Sequence, residues 1–315
     1  MNRHRTAASV LLAAAALVAG GLTAATPSAA APTPTSFRPP QTQGFWTAER
    51  MRNATPLDVT AAPGAAGRTV ATTGTPTTIA PTPAVSPTAF PQAGGAWTGG
   101  GAVVKTSGRV FFSFGGRTAS CSGDSITSAN GSTVITAGHC VKYQGSWHTN
   151  WIFVPGYDNG NAPYGQWSAT KTLATDQWAA SEDMNFDVGF AVVAPLNGQK
   201  LGQAVGAQGI QFNGGYNKRM YAFGYPAASP YDGSKLVYCS GNSGKDFFLT
   251  KDHSLSCNMT GGSSGGPWFQ DFNESTGLGT QVSVNSFGYT FLPNRMFGPY
   301  FGAEAKAAYD KAVTS

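Results

Sequence analysis

Three short segments carry groups that could exchange a proton. Thr136-Ala137-Gly138-His139-Cys140 follows a β-branched run and presents an imidazole. Asn185-Phe186-Asp187-Val188-Gly189-Phe190-Ala191-Val192-Val193 places a carboxylate at the head of an apolar strand. Gly261-Gly262-Ser263-Ser264-Gly265-Gly266-Pro267 sets hydroxyls in a glycine turn. A serine hydroxyl is a poor nucleophile at neutral pH. A neutral imidazole can take its proton during attack on a carbonyl and return it to the leaving group. A buried carboxylate holds such an imidazole in the required tautomer. A glycine turn lets backbone N–H groups point at a developing oxyanion with no Cβ in the way. Asp176 and Asp183 compete for the carboxylate role, but only Asp187 directly precedes a buried-looking strand.

Chain order separates the folds that use such a trio. The run Gly262–Gly266 also fits the nucleophile elbow of α/β-hydrolases, which requires its histidine after the serine. The histidines are His4, His139, His148 and His253, and none follows Ser264. A subtilisin order needs an aspartate before the histidine. Asp124 is available, yet the alternating helices of that fold are missing from the pattern. The order His139…Asp187…Ser264, with the three motifs around it, resembles the chymotrypsin-like serine endopeptidases, most closely their secreted bacterial trypsin-like and V8-like branch. The resemblance covers roughly 103–315.

That resemblance implies two packed six-stranded antiparallel β-barrels with a C-terminal helix. It implies Ser264 as nucleophile, in preference to Ser263, because Gly-Gly-Pro follows Ser264 in the family register. His139 becomes the general base and then acid, and Asp187 its orienting carboxylate. The N–H groups of Gly262 and Ser264 become the oxyanion hole. Asn285-Ser286-Phe287-Gly288 resembles the segment that pairs with substrate backbone, with Ser286 bonded to Asp187 and with Phe287 and Gly288 walling the specificity pocket. Branches that cut after acidic residues have a histidine where this chain has Asn285. Branches that cut after Arg or Lys have an aspartate at the pocket base, where this chain has Asn258. A neutral or apolar preference follows. Animal members carry an aspartate at the position of Ser263, which pairs with a new N-terminus, and a serine cannot make that ion pair. A polypeptide substrate is expected, with no cofactor, no metal and a monomeric state. The alternative is a catalytically inert binding module on the same scaffold, because a fold alone does not fix function.

The elements that must position these groups read as β-structure. The chain has 315 residues, 41% of them hydrophobic and only 11% charged, with 41 glycines and 20 prolines. That glycine and proline content argues against a helical bundle. Apolar β-branched and aromatic runs recur at 109–112, 133–136, 151–154, 188–193, 220–224, 235–238 and 281–287. Each is short and bounded by turn residues. The one helical stripe is Ala303 to Val313, with Ala305, Tyr309 and Ala312 at helical spacing. Cys121, Cys140, Cys239 and Cys257 permit three pairings. The local one joins Cys121 to Cys140 and Cys239 to Cys257, and spaced Cys-x-x-Cys pairs that would hold zinc are absent.

Upstream of this domain the composition changes. Arg3, His4 and Arg5 precede an apolar run from Ala7 to Leu22 and small residues at Ser28-Ala29-Ala30, the pattern of a secretory signal over 1–30. Export to an oxidising compartment fits paired cysteines and predicts an extracellular protein free of the membrane once the signal is removed. Residues 31–97 hold little that could form a core, apart from Phe45–Met51. There Thr47 is placed to cap a short helix, with Trp46 and Met51 as apolar anchors. This region is either a linker with one sticky spot or a prosegment that docks through it, and 98–315 is the peptidase-like domain. The formal charge of +5 sits mostly upstream: 98–315 has 14 basic and 13 acidic side chains, a net of +1. Such a domain has no electrostatic footprint for nucleic acid.

Overall fold

The structure is a computed structural model that describes residues 35–61, 74–79 and 90–315. The predicted signal, 1–30, lies outside the described residues. In the first half, six strands close into an antiparallel ring. Their order is Trp167–Ala174, Thr149–Pro155, Ser107–Phe114, Arg117–Ile126, Thr133–Thr136 and Gly189–Val193, which returns to Trp167–Ala174. The period of two is visible in Ser107–Phe114. Val110 and Phe112 point into the ring interior with Val134, Trp151 and Phe190, whereas Phe111 packs with Tyr221, Phe223 and Phe269 of the second half. One strand therefore serves both cores.

The second half divides its strands between two sheets. A seven-stranded sheet contains Gln92–Ala96, Val237–Asn242, Arg219–Gly224, Pro267–Asn273, Leu278–Val284, Gly209–Phe212 and Thr77–Ile79. A five-stranded sheet contains Gly244–Lys245, His253–Ser256, Leu292–Gly298, Phe287–Tyr289 and Thr60–Ala61. The expected pair of barrels is present as one closed ring and one half hydrogen-bonded as these two sheets. Gln92–Ala96 pairs with Val237–Asn242 at one edge of the seven-stranded sheet. Trp97 follows it into an aromatic cluster, with edge-on contacts to Phe223, Tyr238 and Phe272.

The C-terminal helix spans Ala303–Val313, as its stripe predicts, and buries Ala305, Ala308, Tyr309 and Ala312. Tyr309 fixes its docking by donating to the Thr127 carbonyl at 2.7 Å. Among the described residues no helix is long and apolar enough to cross a membrane. Both local disulfides form, Cys121 to Cys140 and Cys239 to Cys257. In the chain-entropy account, loops of this size stabilise by roughly 3 kcal/mol each.

The strand Arg117–Ile126 is the one that composition hides. Its Ser, Cys, Gly and Asp residues lack a β-branched run, yet it pairs along its length with Ser107–Phe114. Small side chains are required there: a Cβ on Gly123 would meet Val110 Cγ2 at 3.0 Å and the Ile135 carbonyl at 3.1 Å. The same strand buries Asp124 completely. Ser107 donates to its Oδ1 at 2.9 Å, and its Oδ2 has no hydrogen-bond partner among the described residues. Burial pushes the Asp124 carboxyl up to about 8. The folded protein thus keeps it protonated where the unfolded chain, with an ordinary value of 3.8, has released the proton. Asp124 therefore favours the fold in acid, and its contribution is lost as pH rises from the ordinary value toward about 8. Asp124→Asn cannot titrate, so its melting temperature should change less than wild type between about pH 5 and 8. Parallel profiles for the two proteins would mean that Asp124 is not held neutral.

Candidate active site

His139 lies in a one-turn 3-10 helix, Gly138–Cys140, directly after the strand Thr133–Thr136. Only glycine fits before it. A Cβ on Gly138 would stand 2.6 Å from the Trp178 ring and 2.9 Å from Asp187 Oδ1. Three ring N–H donors hold the backbone of this turn. His148 Nε2 donates to the His139 carbonyl at 2.9 Å, Trp151 Nε1 to the Cys140 carbonyl at 2.9 Å, and Trp178 Nε1 to the Lys142 carbonyl at 2.8 Å. His148 is fully buried and stacks on Phe112 at 4.2 Å. Burial lowers it to about 3, so it stays neutral and acts as a donor. His148 thus lies in the interior behind His139. His253 is likewise buried, packed against Tyr300.

Asp187 follows a second 3-10 turn, Met184–Phe186, and is fully buried. Its Oδ1 accepts from the His139 backbone N–H at 2.8 Å, and its Oδ2 meets His139 Nδ1 at 2.7 Å. Ser286 Oγ, from the second half of the fold, donates to the same Oδ2 at 2.6 Å. Charge-assisted hydrogen bonds from three donors fix the carboxylate and leave Nδ1 of His139 as the protonated ring nitrogen. The rival carboxylates are engaged elsewhere. Asp176 pairs with Lys311 at 2.8 Å on the surface, and Asp183 caps the turn through the N–H of Asn185.

Ser264 lies in the glycine turn, nearly buried, beside the His139 turn. Its carbonyl accepts from the Ser122 N–H at 2.7 Å and lies 3.7 Å from Cys140 Sγ. Gly265, at φ +81°, approaches so closely that a Cβ would meet Thr136 Oγ1 at 2.1 Å. His139 Nε2, the nitrogen that would serve the hydroxyl, is buried and makes no hydrogen bond among the described residues. Catalytic hydrogen bonds are often loose without substrate and tighten when it binds. Gly262, at φ +94°, directs its N–H to the Leu57 carbonyl at 3.2 Å. Ser263 Oγ donates to the Thr260 carbonyl at 2.8 Å, so this buried hydroxyl is satisfied within the turn, without a charged partner.

The remaining predicted residues divide by what their side chains do. Asn285 is fully buried. It donates to the carbonyls of Phe223 at 2.8 Å and Ser263 at 3.0 Å, and accepts from Trp268 Nε1 at 2.7 Å. It holds the turn that carries Ser264, and its bonding capacity is taken up inside the protein. Asn258 is half-buried, and its Oδ1 accepts from the Tyr231 hydroxyl at 2.6 Å. Phe287 stacks on Phe297, and Gly288 lies on the strand Phe287–Tyr289, between Leu292–Gly298 and Thr60–Ala61. Ser122 was not singled out by sequence, yet its hydroxyl accepts from the Tyr225 N–H and donates to the Gly262 carbonyl at 2.9 Å. Among the described residues, the metal-ligand types that come together are Cys121, His139 and Cys140. Their sulfurs are bonded to each other, so they offer no thiolate and do not fit a metal.

No family model matches the chain. Among solved structures, the protease Anisep from Arthrobacter nicotinovorans is 47% identical, with a TM-score of 0.64 over 68% of this chain and 98% of its own. AL20, a thermostable serine protease from an extremophilic microorganism, is 42% identical, with a TM-score of 0.64 over 68% of this chain and 99% of its own. A curated protein named extracellular metalloprotease, from Bacillus subtilis (strain 168), is 37% identical over 83 residues. That match spans 26% of this chain and 25% of the relative's length.

Asn285→Ala would take the side-chain donor from the Phe223 carbonyl and leave the buried Trp268 indole N–H without its acceptor, while the Ser263 carbonyl keeps the Gly266 N–H. Each such group costs about 1–3 kcal/mol, so chemical denaturation should show a loss of about 3 kcal/mol or more. A loss under about 1 kcal/mol would mean that the turn carrying Ser264 is held by other contacts.

Proposed function

We propose a function on one settled premise: the chain belongs to the chymotrypsin-like serine proteases. On that footing it is an exported endopeptidase that cleaves polypeptides through an acyl-enzyme on Ser264. The observation that carries this reading is the carboxylate of Asp187, bonded to both nitrogens of His139 that face it and to Ser286, with Nε2 of the imidazole left over. In the first step the Ser264 oxygen attacks the substrate carbonyl carbon while its proton passes to His139 Nε2. Asp187 stabilises the imidazolium that forms. The oxyanion takes the N–H groups of Gly262 and Ser264, and losing one such donor typically slows kcat by roughly 10²–10³-fold. As the C–N bond breaks, His139 gives its proton to the departing amine. Water, deprotonated by the same nitrogen, then hydrolyses the ester and restores Ser264.

Removal of the leader segment 1–30 and of an upstream prosegment fits secretion in the paired-cysteine state. The primary pocket takes a neutral or apolar side chain, because Asn258 stands where branches that cut after Arg or Lys have an aspartate. The second reading, an inert binding module, draws on one observation: His139 Nε2 has no hydrogen bond to the hydroxyl it would serve.

Prolonged exposure to a fluorophosphonate should modify Ser264, and His139→Ala should slow that reaction on the order of 10³-fold or more. Equal labelling of both proteins would remove His139 from the mechanism, and an unmodified Ser264 would favour the inert reading. Asn258→Asp should raise cleavage after Arg and Lys relative to Leu and Phe by about tenfold or more, scored on peptides from a denatured protein mixture. An unchanged ratio would place Asn258 outside the pocket.

A further inference from the structure

Residues 55–61 cross the face on which the reacting groups lie. Thr55 and Pro56 pair in parallel with Ala119 and Ser120, on the strand that also carries Cys121. The Leu57 N–H donates to the Ser120 carbonyl at 2.9 Å, and the Leu57 carbonyl accepts from the Gly262 N–H at 3.2 Å. Asp58 rests against Gly261, where an added Cβ would meet Asp58 Cβ at 2.9 Å. Val59 is buried. Thr60 and Ala61 then pair in parallel with Gly288 and Tyr289, and Ala61 packs with Phe287, Tyr289 and Phe297. Peptide backbone thus occupies the near edge of the first ring, one oxyanion donor, and the edge strand of the second half.

The direction of this crossing is informative. The strand Phe287–Tyr289 leads away from Ser286, which is bonded to Asp187. The crossing segment runs the same way, so the residues on this edge come after the one at Gly262. A peptide added antiparallel to the same edge would arrive in the opposite sense, with the residues on the edge preceding the carbonyl at Gly262. The two directions put opposite sides of the central peptide bond on the edge strand. In one the acyl half lies there, and in the other the amine half.

Resting on the serine protease reading above, we propose that residues 55–61 are a built-in plug of the cleft, threaded in reverse of an antiparallel substrate, which blocks the site without being cut. The plug is anchored in cis. Just upstream, Trp46, Met51 and Ala54 are buried with Phe111, Ile152 and Val154 of the domain. Trp46 Nε1 donates to the Asn150 carbonyl at 2.6 Å. A tether of a few residues holds the plug at high effective concentration, so individually weak backbone contacts suffice. The interaction surface is therefore a peptide-backbone track made of Ala119–Ser120, Gly262 and Phe287–Tyr289, and its occupant is this chain's own segment.

The test compares the full chain with two plug variants, Leu57→Pro, which removes the N–H donor, and the double variant Asp58→Gly with Thr60→Gly, which loosens the backbone. In the Ser264→Ala background, amide hydrogen exchange at Gly262 and 287–289 should speed up at least tenfold in both. With Ser264 intact, fluorophosphonate labelling should speed up at least tenfold as well. Unchanged exchange in both variants overturns the docking. Faster exchange with unchanged labelling overturns the block. Cleavage between Leu57 and Asp58 in the wild-type chain, read by mass spectrometry, overturns the reverse threading, because the segment would then be a substrate. Faster exchange with no labelling of any protein supports the docking and counts instead against the hydrolase.

Discussion

The bond network on the Asp187 carboxylate is the constraint from which the rest of the site follows. It gathers the backbone and ring of His139 from one turn and the hydroxyl of Ser286 from the other half of the fold. A buried carboxylate without such donors would carry a desolvation penalty of several kcal/mol. With them, it fixes the orientation and tautomer of an imidazole. The two halves of the fold must stay in register for this to hold, because Ser286 and His139 approach Asp187 from different sheets. Val110 and Phe112 on one face of a strand and Phe111 on the other supply that register by anchoring in both cores.

Around this network the protein uses fixed groups where a soluble catalyst would use mobile ones. Ring N–H donors from His148, Trp151 and Trp178 satisfy successive carbonyls behind His139. Asn285 and Ser122 do the same for the turn that carries Ser264. These are rigid side chains with few rotatable bonds, so holding the turns in place demands little additional ordering. Glycine at 138 and 265 lets the turns approach closely enough for the network to close.

The pairing of His139 with Asp187 was legible because both are set by residue identity at a few turn positions, and the structure brings the two together. The local cysteine pairing and the C-terminal alanine stripe are local signals too. What sequence did not disclose depends on partners distant in the chain. The strand Arg117–Ile126 forms from hydroxyl residues and glycine because its neighbours on both sides impose it, which is tertiary context overriding propensity. Asn285 looked like a residue free to meet substrate, and the acceptors that occupy it, Phe223 and Ser263, lie 62 and 22 residues away. His148 carried no sequence mark of burial. In the second half, segments from upstream, Gln92–Ala96 and Thr60–Ala61, extend the edges of the two sheets.

The upstream region shows most clearly how backbone groups escape a reading by side chain. Trp46 and Met51 stood out as apolar anchors in a stretch rich in Ala, Thr and Pro, and they are buried. Thr47 caps the short helix Ala48–Arg52 by accepting from the Arg50 N–H. The segment that reaches the site is the plainer one after it, Thr55 to Ala61. It does so through Leu57 N–H and C=O and through strand pairing, none of which depends on which side chain is present. A sheet edge accepts any extended peptide of the right direction and register. Specificity for this segment therefore comes from the anchor that delivers it together with the buried Val59 and Ala61 side chains, and the apolar residues that sequence does reveal set where the backbone must lie.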